Sequence, residues 1–251
     1  MKRTPLIAGN WKMHLTISES VALAEAVAGS CQHLDDREVM IAPAATALAA
    51  VAQAVPGSPL IIAGQNVAWK DQGAYTGEIS PLMLSDAGAK MAIVGHSERR
   101  HIFGEDNAMI NQRILGALTY GVAPVLCVGE TLDEREDDLT WEVLKVQVRE
   151  GLEGVSREQA KYVVIAYEPV WAIGTGKTAS KEQAQEAHLF IRGVVQELYE
   201  KNLADEMRIL YGGSVKPDNV DDLMRMPDVD GALVGGAALQ ADSFDRIIHF
   251  S

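Results

Sequence analysis

Short apolar runs recur along almost the whole chain, and polar or amphipathic stretches separate them. Most of the runs are continuously apolar, which is typical of parallel strands covered on both faces. We predict eight strands, at residues 6–8, 39–42, 60–63, 91–94, 125–128, 162–166, 208–210 and 232–234. Helical spacing is clearest at residues 180–199, where apolar residues recur on one face and Ser180 with Gln183 fits a capping box.

Strands and helices alternate over the 251 residues without a linker rich in Pro, Gly or Ser. This alternation predicts a single α/β domain with a parallel sheet, covering residues 1–251. Eight strands in a chain of this length match a closed (β/α)8 barrel better than an open doubly wound sheet. Residues 131–138 are rich in charge, and we interpret them as a solvated loop and helix start.

Residues 39–69 carry no charged side chain, and an uncharged stretch of this length raises the question of a membrane span. Three prolines and Gly57 interrupt it, so we predict a strand, a short helix and a strand instead. The first 14 residues also lack the continuous apolar core of a signal peptide.

The formal net charge of −13 would repel a polyanion, and no basic stripe is present. We therefore expect neither nucleic acid nor a membrane as a partner, whereas local donors could still bind a small anionic substrate. Two cysteines, Cys31 and Cys127, could form at most one disulfide and lack the spacing of a metal site. Their scarcity fits a reducing cytoplasm.

The segment EPVWAIGTGKTAS at residues 168–180 contains GTGKT, which suggests a nucleotide-binding loop. An ATP-binding loop needs a glycine five positions before Gly176, and Trp171 occupies that position. The half-match to a dinucleotide fingerprint lies well past the preceding strand. The composition favours a lid, because Gly174 and Gly176 permit unusual backbone angles and Pro169 keeps the preceding Glu168 extended. A loop that only connects strand to helix is the simpler alternative.

Polar residues and glycines follow several of the other predicted strands. GNWKM follows the first strand, GHSERR the fourth, YGGSVKP the seventh and GGAAL the eighth. The carboxyl ends of parallel barrel strands meet on one face, where active sites are built. Each residue alone has an ordinary explanation, such as a solvated lysine, a core histidine, a helix cap or a tight turn.

Together, NWKM, GHSERR, CVGE, AYEPVWAIGTGK, YGGSVKP and LVGGA resemble the triosephosphate isomerase family, in the family's order from residue 9 to residue 238. The resemblance implies a TIM barrel that interconverts D-glyceraldehyde 3-phosphate and dihydroxyacetone phosphate through an enediolate. It places the protein in glycolysis and gluconeogenesis as a cytoplasmic homodimer that needs no cofactor and no metal. The alternative is another phosphosugar isomerase or epimerase on the same barrel, which would share only the phosphate donors.

The resemblance also implies a role for individual side chains. Glu168 would be the base, and His96 would polarise the carbonyl as a neutral imidazole. A helix start at His96 would lower its pKa. Lys12 would place a fixed positive charge near the enediolate oxygen and the phosphate, and Asn10 would supply a hydrogen bond. Glu98 and Cys127 would support the site, with simple packing as the alternative for Cys127.

Substrate binding is implied at Asn10, Trp11, Lys12, Gly174, Ser214, Gly235 and Gly236, the last four through backbone amides on the phosphate. Gly174 and Gly176 would serve as hinge and donor, and Lys177 would be a surface residue. Ala238 replaces the serine that the family usually has in GGASL. Residues 65–79 resemble the family's dimer loop, whose Thr76 would reach the partner's active site.

Overall fold

The computed structural model describes residues 3–174 and 178–251, which form a closed barrel of eight parallel strands. Each strand pairs with the next, and the last pairs with the first through registers such as Leu6 with Gly231. The strands are β1 (Leu6–Asn10), β2 (Glu38–Ala42), β3 (Ile61–Gly64), β4 (Met91–Val94), β5 (Ala123–Val128), β6 (Val164–Tyr167), β7 (Ile209–Tyr211) and β8 (Gly231–Val234). The predicted fold class is confirmed.

Helices surround the barrel in the described residues. They are α1 (Ile17–Ser30), α2 (Ala45–Ala54), α3 (Pro81–Asp86), α4 (Ser97–His101), α5 (Asn107–Thr119), α6 (Leu132–Glu136), α7 (Thr140–Gly151), α8 (Arg157–Ala160), α9 (Lys181–Tyr199), α10 (Lys201–Glu206), α11 (Val220–Met224) and α12 (Ala241–Ile248), with 3-10 turns at Val170–Ala172 and Gly236–Leu239. The capping box predicted at Ser180 and Gln183 begins α9. The charged run 131–138 contains α6, which Thr131 caps.

All eight predicted strands are present, with ends displaced by a few residues at most. The starts of β5 and β6 differ most, by two residues each. At β6, Tyr162 lies in an exposed turn that follows α8, and Val164 is the first residue in the sheet. The uncharged stretch 39–69 forms β2, α2 and β3, as predicted. Among residues 3–174 and 178–251, no helix is long and apolar enough to cross a membrane.

Two buried layers hold the fold together. Side chains from alternate strand positions fill the barrel interior, among them Leu6, Met40, Ile93 and Leu210. The other strand side chains pack against the helices in a second, larger layer. Burial on both faces explains why the strands read as continuously apolar runs, and it leaves the carboxyl ends of the strands as the place where polar side chains gather.

Candidate active site

A cavity of about 420 Å³ opens at the carboxyl ends of the strands. Asn10 is the last residue of β1, Glu168 follows β6 directly, and His96 lies two residues beyond β4. The cavity is lined by Asn10, Lys12, His96, Glu98, Glu168, Ala172, Ile173, Gly174, Gly212, Gly213, Ser214, Val215, Lys216, Leu233, Gly235, Gly236 and Ala237. The structure therefore brings together residues that follow five different strands.

Glu168 and His96 form a buried pair at the base of the cavity, where they are 2 % and 6 % exposed. Oε1 of Glu168 lies 2.9 Å from Nε2 of His96, and Oε2 accepts a hydrogen bond from the backbone N–H of Ser97 at 2.9 Å. His96 also caps α4, where its Nδ1 accepts from the Glu98 N–H at 3.2 Å. A nitrogen that accepts carries no proton, so this geometry assigns the neutral His96 proton to Nε2, which donates to Glu168.

The contact between His96 and Glu168 shifts the pKa values of both side chains in the direction that favours an imidazolium and a carboxylate. Burial is the largest influence and lowers the pKa of His96, but the charge and hydrogen bond of Glu168, together with Glu98, raise it more, so the pKa lies above its usual value. Burial raises the pKa of Glu168, but His96, the Ser97 amide and Lys12 lower it more, so the pKa lies below its usual value. The prediction of a lowered His96 pKa is wrong in this arrangement, because it considered only the helix start.

Lys12 is held in an uncommon backbone conformation beside the pair, with φ at +50°. Its N–H donates to Oδ1 of Asn10 at 3.0 Å, and its carbonyl accepts from Nε2 of Gln65 at 2.7 Å. Its Nζ lies 2.7 Å from Oε1 of Glu98. Gln65 follows β3 directly and was not among the residues predicted from the sequence, although its place at a strand end was the available signal.

The residues predicted to bind phosphate through backbone amides also line the cavity. Gly235 and Gly236 precede and begin the 3-10 turn Gly236–Leu239, and Ser214 lies in the loop after β7. Gly174 lines the same cavity with φ at +69°. Ala238 is fully buried rather than in the cavity lining, so the replacement of serine there leaves these amides in place. Helix starts of this kind bind anions through their free N–H groups.

Glu130, which has no exposed surface, anchors the front of the segment at 168–174. It accepts hydrogen bonds from the Trp171 indole at 2.8 Å and the Tyr167 hydroxyl at 3.1 Å, and it pairs with Arg135 at 3.0 Å. Charge-assisted bonds from several donors fix this end of the segment. Glu130 was not predicted from the sequence, because its role depends on partners that lie up to 41 residues further along the chain.

The remaining predicted residues take other positions. Trp11 lies wholly buried in the layer between barrel and helices and does not line the cavity. Thr76 is exposed in the loop after β3 and is not part of this cavity. Cys127 lies inside the barrel near Glu168, where burial raises the pKa of its thiol well above the usual value. Gly176 and Lys177 lie outside the described residues.

Similarity to known proteins covers nearly the entire chain. A family model described as triosephosphate isomerase matches residues 5–251. The triosephosphate isomerase of Citrifermentans bemidjiense is 52 % identical over 249 residues, covering 99 % of each chain. That of Geobacter metallireducens is 52 % identical over 248 residues, with the same coverage. That of Chloroflexus aurantiacus is 51 % identical over 248 residues, also covering 99 % of each.

Proposed function

The chain belongs to the triosephosphate isomerase family, and we propose that its cavity is the site where D-glyceraldehyde 3-phosphate and dihydroxyacetone phosphate are interconverted through an enediolate. The protein is an aldose–ketose isomerase of glycolysis and gluconeogenesis. One observation carries the proposal for the site: the buried Glu168 carboxylate and the His96 imidazole lie 2.9 Å apart in a cavity that Ser214, Gly235 and Gly236 also line. The alternative, another phosphosugar isomerase or epimerase, is not favoured by a family match over residues 5–251.

Glu168 is the proposed base. It removes a proton from the carbon beside the carbonyl and returns it to the neighbouring carbon. Both of its oxygens are engaged with His96 and Ser97, so the carboxylate must leave these partners to reach a substrate. Once these hydrogen bonds are lost, burial is no longer offset, so the pKa of Glu168 rises and the carboxylate becomes a stronger base.

His96 is the proposed electrophile, with its Nε2 proton directed at the substrate oxygen once Glu168 has moved. The Glu98 amide on Nδ1 supports the neutral form, because an imidazolium could not accept that bond. Lys12 places a positive charge near the developing enediolate, and Asn10 holds the Lys12 backbone in position. These groups favour the charge that appears in the transition state.

The phosphate is proposed to bind the backbone amides of Ser214, Gly235 and Gly236, with Gly174 added as the lid closes. No cofactor or metal takes part in this scheme. We include Trp11 only as a packing residue that fixes the backbone between Asn10 and Lys12, because its side chain is wholly buried.

A homodimer of single-domain chains, each spanning residues 1–251, is the proposed assembly, located in the cytoplasm. Seven of the eleven exposed large apolar side chains in the described residues lie after β1, β3 and β4, three strands in one half of the barrel. They are Met13, Ile17, Tyr75, Leu82, Met83, Ile102 and Phe103. Exposed apolar groups concentrated on one side of a barrel are typical of a protein interface. The exposed loop that carries Thr76 lies among them, which supports insertion into a second copy.

The decisive experiment compares the wild type with Glu168→Gln in the isomerisation of D-glyceraldehyde 3-phosphate, without added metal or nucleotide. Wild-type kcat/KM should approach the diffusional ceiling of about 10⁸ M⁻¹s⁻¹. The Gln variant should lose about 10³-fold or more in kcat while it still binds inorganic phosphate. Glu142→Gln, on the exposed face of α7, is the matched control with full activity. An active Glu168→Gln enzyme would overturn the assignment of the base.

A further inference from the structure

Four charged side chains line the catalytic cavity, and the sum of their charges determines whether a phosphate dianion is attracted or repelled as it enters. Two are the carboxylates of Glu98 and Glu168, and two are the cations of Lys12 and Lys216. Lys12 is already paired with Glu98 at 2.7 Å. Without Lys216 the lining would carry an excess of negative charge, on a chain whose net charge is −13. A dianion would meet repulsion at the entrance of such a site.

Lys216 differs from Lys12, the other lysine that lines the cavity, in having no carboxylate partner among the described residues. Lys12, Lys181 and Lys201 each form an ion pair with a carboxylate. In the part of the chain that the structure describes, no carboxylate lies within ion-pair distance of Lys216, and the residue is exposed. An unpaired ammonium at a cavity wall is available for an anionic ligand without having to break an existing pair.

The backbone of Lys216 is fixed beside the proposed phosphate donors. Its N–H donates to Oδ1 of Asn219 at 2.8 Å, and Nδ2 of the same Asn219 donates to the carbonyl of Ser214 at 2.9 Å. Asn219 is the N-cap residue of α11, yet its side chain forms no bond to that helix and holds the preceding loop instead. The Asn219 side chain thus connects the backbone of Ser214 and Lys216, which both line the cavity.

We propose that Lys216 is a further substrate-binding residue, a cation at the rim that attracts the phosphate group and holds it against the amides of Ser214, Gly235 and Gly236. The proposal deepens the proposed function and rests on it. Lys12 serves both the enediolate and the phosphate and is already paired with Glu98, whereas Lys216 serves the phosphate alone. Its contribution is electrostatic and acts partly through solvent, so it decreases as salt shortens the Debye length.

The test measures kcat and KM for D-glyceraldehyde 3-phosphate in the full-length wild type, Lys216→Met, Lys216→Arg and Lys145→Met. Lys145 is an exposed lysine on α7 outside the cavity, so its Met variant makes the same change in net charge. At about 0.02 M ionic strength, Lys216→Met should lower kcat/KM about fivefold to tenfold, mainly through KM. At about 0.5 M the loss should shrink to about twofold or less. Lys216→Arg should retain most of the wild-type value.

The binding of inorganic phosphate provides a second measurement that does not depend on the isomerisation reaction. Its dissociation constant, measured by isothermal titration calorimetry, should rise in Lys216→Met by a factor similar to that in KM and stay unchanged in Lys145→Met. Equal kcat/KM values and equal salt dependence in the two Met variants would overturn the proposal for Lys216. A wild type that binds phosphate but does not isomerise the triose phosphate would contradict the proposed function, while the phosphate affinities still report on Lys216.

Discussion

His188 provides a test of how burial makes the stability of this barrel depend on pH. The residue lies on α9 with no exposed surface, edge-on to the Tyr167 ring at a centroid distance of 5.9 Å. Its Nδ1 lies 3.0 Å from the Asp228 carbonyl, which can only accept, so Nδ1 carries a proton. Burial, aided by the positive charge of Arg192, lowers the pKa of His188 to about 4.

The lowered pKa makes a defined contribution to stability. In the unfolded chain His188 binds a proton below its ordinary pKa of 6.5, whereas in the folded protein it does so only below about 4. Between these values the unfolded state binds more protons, so the free energy of unfolding falls as the pH falls. Relative to neutral pH, the loss from this one residue should reach about 2 kcal/mol at about pH 4.5.

The assay is equilibrium unfolding in urea at about pH 7.5 and about pH 4.5, at one protein concentration, for the wild type and His188→Gln. Glutamine can still donate to the Asp228 carbonyl but does not titrate. The variant's stability at neutral pH can differ from that of the wild type, but its loss on acidification should be smaller by about 2 kcal/mol. The same loss in both proteins would refute the assignment, because His188 would then not be a group that must stay neutral to fold.

Three further substitutions test the backbone and the loops. Glu200 is exposed and has φ 77° and ψ 163°, a region of backbone conformation that only glycine adopts without strain. Glu200→Gly should therefore raise the free energy of unfolding by about 1 kcal/mol or more, whereas Glu200→Ala should not. Equal urea midpoints for the two variants would contradict this. Asn219→Ala removes the side-chain hydrogen bonds to the backbone of Ser214 and Lys216 and should lower kcat/KM about tenfold, mainly through KM. An unchanged KM would show that the loop keeps its conformation without these two hydrogen bonds. A Cβ on Gly129 would overlap the main chain directly after β6, so Gly129→Ala should abolish soluble expression or activity, and a folded, active variant would disprove the close approach.

The sequence predicts the barrel well because burial leaves a direct mark on it. Strands covered on both faces must be apolar throughout, and the eight runs mark the eight strands. The site is partly predictable for a related reason: a parallel barrel brings every strand's carboxyl end to one face, so Asn10, His96 and Ser214 could be grouped before any contact was known. Gln65 also follows a strand directly, but its side chain donates to the backbone carbonyls of other segments, and such contacts cannot be inferred from residue types.

The protonation of His96 was not predictable from a single local rule. The helix start alone favours a lowered pKa, but the Glu168 carboxylate, which follows β6 and lies 72 positions further along the chain, reverses the direction of the shift at a distance of 2.9 Å. The same contact constrains the mechanism. We infer that movement of Glu168 toward a substrate removes the charge that raises the His96 pKa, and that burial, Lys12 and the Glu98 amide then favour the neutral imidazole. One displacement therefore prepares both groups, because it frees the base and restores the electrophile.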